Sequence, residues 1–169
     1  CEVAGKLMEN RYTLNTGPEG AELLAEYGEL EYWLKDHPKV SAYHRSRNRL
    51  YEHKRKLIDF VELLAQLSLV DGALVLSDRL RPLSFGTMLH AISWKGSIVS
   101  WQEEQFFPSI EVDLKKLGAR HLSAVNFVGQ CPGSIAFVIS QDGPIAGLTR
   151  KDEDTIYWWP DCLNRIWDA

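Results

Sequence analysis

The chain changes its hydrophobic period once, near Leu69, and that change constrains the fold more than any other feature. Before it, apolar residues recur every three or four positions, the spacing of helices with a buried face. After it they come in short runs of strand length, punctuated by Gly, Pro and Asp.

From Ala21 to Lys35, Leu23, Tyr27, Leu30 and Leu34 fall on one helical face, and Pro38 ends the helix because the residue before a proline avoids the helical region. A second helix is expected from about Val40 to Leu67, with Leu50, Leu57, Val61 and Leu64 on one side and Glu52–Lys56 as a supporting i,i+4 pair. Residues 1–20 hold Gly5, Gly17, Pro18 and Gly20 without a period and read as irregular. Beyond Leu69, "ALVLS" (73–77) and "LSFGT" (83–87) read as strands joined by the turn-forming "DRLRP". Residues 90–112 are compatible with a strand at "SIVSW" and a loop at "EEQFFPS". A helix is expected over 112–130, broken or restarted at Gly118 and closed by Pro132-Gly133. "SIAFVIS" (134–140) has the composition of a buried strand; the "QDG" turn then leads to "PIAGLTR" (144–150) and "TIYWW" (155–159). The expected class is α/β, a mixed central sheet flanked by helices. An N-terminal helical extension, residues 1–59, precedes the main domain, residues 60–169.

With 169 residues, 45% hydrophobic and 25% charged, the chain has the composition of one globular domain with an added helical segment. Its formal charge of −4 opposes general adhesion to nucleic acid or anionic lipid. No apolar run is long enough to cross a bilayer and no charged-then-apolar leader is present. A start at Cys1 in place of Met is expected of a fragment or a processed form. Cys1, Cys131 and Cys162 lack metal-site spacing and disulfide density, which points to a reducing cytoplasm.

Several stretches carry residue types suited to chemistry. In Asp71-Gly72-Ala73, a carboxylate stands before a strand, beside a glycine that admits a ligand to the backbone and a small residue that leaves room for a base. The same residues also suit a plain turn. In Gly118-Ala119-Arg120-His121, a glycine opens a helix whose free N–H groups and dipole favour an anion, and Arg120 adds a fork matched to phosphate. A helix-breaking glycine with a surface Arg and a half-buried His is the alternative. Ser140 stands before the Gln141-Asp142-Gly143 turn at the end of an apolar strand, where ligands collect in open sheets. The basic run Arg45, Arg47, Arg49, Lys54, Arg55, Lys56 reads as a solvated helix face sooner than a nucleic-acid patch, since acidic residues alternate with it. "YWWP" (157–160) could stack on a base or cover a core edge. No Ser-His-Asp, Cys-His, Walker or zinc pattern is present.

Taken in order, "VDGALVLSDRLRPLSFG", "LGARHLSA" and "IAFVISQDG" resemble the motifs of the diadenylate cyclase (DAC) domain, which joins two ATP molecules into cyclic di-AMP. The likeness spans roughly residues 60–160. Within that superfamily, "LVDGALVL", "FVISQDG" and "TIYWW" resemble the DACNV group of nucleotide sensors. The resemblance implies a DAC-like nucleotide-binding domain over 60–169. Asp71, Gly72, Ala73, Gly86, Gly118, Ala119, Arg120, His121, Ser123 and Ser140 would contact an adenine nucleotide or cyclic dinucleotide. It implies a homo-oligomer, since cyclase domains face each other. If the chain is active, Asp71 would be the catalytic residue and metal ligand, with Mg²⁺ or Mn²⁺. Three departures bear on catalysis: Ala119 replaces a Thr, Leu122 replaces the second Arg, and Gln141 replaces an acidic residue. Expelling pyrophosphate builds charge that metal and cations must meet, and losing such groups raises the barrier by several kcal/mol. The resemblance therefore implies a sensor weakened or inactive in catalysis. An active diadenylate cyclase and a ligand-free structural interaction domain are the alternatives.

Overall fold

The computed structural model describes residues 6–15, 17–37, 43–90, 92–100, 112–113, 116–139 and 143–162, with backbone alone at Tyr43 and His44. These residues form a mixed α/β fold with three helices and two sheets among them, in two compact units: Asn10–Met88, and Cys1–Glu9 with Leu89–Ala169.

In the unit Asn10–Met88, a two-residue strand β2 (Tyr12–Thr13) precedes helices α1 (Gly20–Asp36) and α2 (Tyr43–Ser68) and strands β3 (Ala73–Leu76) and β4 (Pro82–Leu89). Helix α1 carries Glu22 in its first turn and Lys35 in its last, each of the sign its dipole favours. Helix α2 packs along α1 and sets His53 Nδ1 2.9 Å from Glu26 Oε2. Strand β4 pairs antiparallel with β2 and with β3, stacking Phe85 on Tyr12 at 4.7 Å between ring centres. The β3–β4 connection is held by Ser77, whose Oγ accepts the N–H groups of Arg79 and Arg81 at 3.2 and 3.1 Å. Burial of Phe60 supplies the apolar centre, and the buried Ser84 and Thr87 hydroxyls share hydrogen bonds with each other and with Asn10 Oδ1. A buried hydroxyl with partners avoids the desolvation cost of an unmet one.

The other unit opens with β1 (Met8–Glu9), where the His90 N–H donates to the Leu7 carbonyl at 2.8 Å. Its sheet runs β5-β8-β7-β6, comprising Ser97–Ser100, Thr155–Trp159, Ala146–Arg150 and Ile135–Val138. Strands β5 and β8 are parallel and the other pairs antiparallel, so the sheet is mixed. Helix α3 (Ala119–Gln130) covers one face. Ala124, Val125 and Val128 of α3 close with Ile98, Val138, Leu148, Ile156 and Trp158 into the core.

Three expectations need correction. The irregular N-terminal stretch contains β1 and β2. Of the helix expected over 112–130, the part after the restart at Gly118 is present, from Ala119 with Gly118 as N-cap; Val112 lies outside it and donates its N–H to the Ile98 carbonyl at 2.9 Å. The strand in "SIAFVIS" is buried on one face alone: Val138 is buried, but Ile135, Phe137 and Ile139 are more than 60% exposed. As the last strand in its sheet order, β6 has α3 against one side only. The expected boundary at residue 60 falls inside α2, and "EEQFFPS" lies outside the described residues.

Candidate functional site

Asp71, Gly72 and Ala73 stand where α2 gives way to β3. The helix stops at Ser68, whose hydroxyl donates back to the Ala65 carbonyl at 2.8 Å, and Asp71 is exposed in the bend that follows. Gly72 has a φ of 116° and Gly86, buried on β4, a φ of 62°. A Cβ at position 72 would stand 2.5 Å from the Gly86 carbonyl carbon. The two glycines are thus brought together, and their close approach explains both without a ligand. Ala73 begins β3, half-buried, opposite Thr87.

Gly118, Ala119, Arg120, His121 and Ser123 gather at the start of α3. Gly118 is extended, with φ −67° and ψ 163°, and no side chain caps the helix. Its carbonyl accepts the Leu122 N–H at 3.0 Å, leaving the N–H groups of the first turn without helical acceptors. No acidic residue lies in that turn, and Ala119 and Arg120 are exposed. A positive helix end beside a guanidinium can hold an anion such as phosphate. His121 is half-buried and its ring stacks on Trp158, 5.2 Å between centres and 24° between planes. That contact ties the helix start to the sheet beneath it. Ser123 is half-buried one turn further on.

The "YWWP" segment divides between two faces of β8. Trp158 belongs to the core, whereas Tyr157 and Trp159 lie on the opposite face with their rings edge to face at 6.1 Å. Lys151 Nζ sits 5.2 Å from the Tyr157 ring centre. On that face a Cβ at the buried Gly147 would lie 3.7 Å from Phe137, Trp159 and Cys162, an ordinary packing distance. Sequence reading missed Phe137 and Gly147. The signal was "SIAFVIS", apolar at every position, a pattern that makes both faces of a strand apolar even where one is uncovered.

Ser140, Gln141 and Asp142 lie outside the described residues. Asp71, Gly72, Ala73 and Gly86 belong to the unit Asn10–Met88, and residues 118–123 to the other. Among the described residues no group of three His, Cys, Asp or Glu side chains gathers as metal ligands. Asp71 offers one carboxylate, exposed and without a second acidic ligand gathered beside it among the described residues. Burial pushes the Cys131 thiol above its ordinary range, and the Asp154 N–H holds the Asp152 carboxyl below its own; neither group is in the candidate site. No described helix is long and apolar enough to cross a membrane. Comparison with family models, curated proteins and solved structures finds no match for the chain.

Proposed function

We propose that this chain is a nucleotide-binding sensor module of diadenylate cyclase type, working in the cytoplasm and weakened or inactive in catalysis. The observation that carries the reading is the start of α3. There no side chain caps the helix, its first turn holds no acidic residue, and Arg120 stands exposed beside the free N–H groups. That is the chemistry a phosphate needs, and it sits within the "LGARHLSA" motif. The ligand is an adenine nucleotide or a cyclic dinucleotide, with Arg120 and the first-turn N–H groups on phosphate. The free thiols of Cys131 and Cys162 suit a reducing compartment.

Leu122 and Gln141 supply neither the cation nor the carboxylate that catalysis would use, while binding makes fewer demands. Calorimetry of the full chain with ATP and with cyclic di-AMP tests the reading. Heat of binding with at least one ligand is expected, and Arg120→Ala should weaken it by about tenfold or more, the worth of a charged hydrogen bond. Silence with both would leave a structural interaction domain. Incubation with ATP and Mg²⁺ or Mn²⁺ should yield no cyclic product; a product lost in Asp71→Asn would make the chain a cyclase instead.

A further inference from the structure

Helix α2 has two apolar faces, and its packing on α1 uses one. Phe60 is buried and Leu50, Leu57 and Leu64 are half-buried on the first face. The second follows Tyr51, Lys54, Ile58, Val61, Ala65 and Ser68, spacings of three and four in alternation. This is the seven-residue repeat of a helix that packs along a second helix. Tyr51, Ile58 and Val61 are 60%, 47% and 56% exposed on it. Ile58 and Val61 also line, with Tyr27 of α1, a cleft of about 320 Å³. Three large apolar side chains in one continuous stripe exceed the scatter normal on a surface.

We propose that this face binds the same face of a second copy of the chain, α2 against α2, antiparallel about a two-fold axis between Ile58 and Val61. The charges select that occupant. Arg55 and Glu62 flank the stripe on one side, both exposed and seven residues apart. Antiparallel pairing about the proposed axis sets Arg55 beside the partner's Glu62, and Glu62 beside the partner's Arg55. It lays the Lys54 stem over the partner's Ala65 and meets Ile58 with the partner's Val61, a large group against a small one in each outer layer. Parallel pairing instead sets Arg55 and Glu62 beside the partner's Leu50 and Leu57, where neither charge meets its opposite. A surface that complements itself under a two-fold rotation is what a closed dimer requires. Within one helix, residues seven apart are about 10.5 Å apart along the axis and do not pair. The inference is independent of what the start of α3 binds.

Sedimentation equilibrium of the full chain tests it. A concentration-dependent species of twice the chain mass is expected. Arg55→Glu and Glu62→Lys should each raise the dissociation constant about tenfold or more by placing like charges together. The double variant restores opposite charges and should return it to within about threefold of the original. Such rescue has no source within a single α2. A chain that stays monomeric at ~100 μM would overturn the proposal, since that excludes even a weak self-association. So would a dimer indifferent to either single change, or a double variant as weak as the singles.

Discussion

Gly72 and Gly86 hold the chain at φ 116° and 62°, and the Cβ that any other residue would add at 72 meets the backbone of 86 at 2.5 Å. Dihedral strain and overpacking act together at position 72. Gly72→Ala is expected to destabilise by about 2–4 kcal/mol, read as a lowered urea midpoint at constant slope. An unchanged midpoint would show that the chain at 72 does not press on the backbone of Gly86. This result bears on the site as well, because a binding defect in Gly72→Ala then has a cause in the fold. "VDGAL" announces a glycine with a special role, but a ligand and a neighbouring backbone ask the same residue of a sequence. Arg120 was more legible. A guanidinium behind a helix-opening glycine needs only local geometry, and the helix does begin at Ala119.

At the scale of elements, Arg150 at the end of β7 joins three pieces of the second unit. Its Nη1 donates to the Gly129 carbonyl at 2.8 Å, near the end of α3 where carbonyls lack helical partners. Its Nε and Nη2 donate to the carbonyls of Asp152 and Glu153 at 2.7 and 2.9 Å, fixing the turn into β8. The guanidinium also lies 5.4 Å from the Trp94 ring centre. Arg150→Ala is expected to cost about 1.5–3 kcal/mol in denaturant unfolding, and Arg150→Lys most of the same, since an ammonium keeps the charge without the fork. Full retention of stability in the lysine variant would refute the fork. Nothing in "AGLTR" distinguishes this arginine from a surface one, because its acceptors are carbonyls twenty-one residues back and a few ahead. By contrast α1, α2, β7 and β8 were legible to within about three residues, for each is set by a local period or a nearby Pro, Gly or Asp.

Over the whole chain, the α/β class followed from periodicity, but the division of strands between two sheets did not. Pairing β5 alongside β8 joins segments more than fifty residues apart, and a strand's own sequence does not name its neighbour. Charge, a property that needs no pairing, is more readable. Helix α2 exposes Arg45, Arg47, Arg49, Lys54, Arg55 and Lys56, a run that alone would suggest a nucleic-acid surface. Glu52 interrupts it, Asp59 and Glu62 follow it, and the adjoining α1 adds Glu22, Glu26, Glu29, Glu31 and Asp36 against Lys35. The hairpin is thus slightly acidic, within a chain of net charge −4. Phosphate-backbone binding draws on counterion release, which needs several cations acting together, and nearby carboxylates oppose it. Fluorescence anisotropy with a labelled duplex of about 20 base pairs, at ~150 mM salt and up to ~10 μM protein, should therefore show no rise. A rise that falls steeply with added salt would mean that the arginines of α2 act as a patch despite their acidic neighbours, and would turn that helix from an α2 partner's surface into a nucleic-acid one.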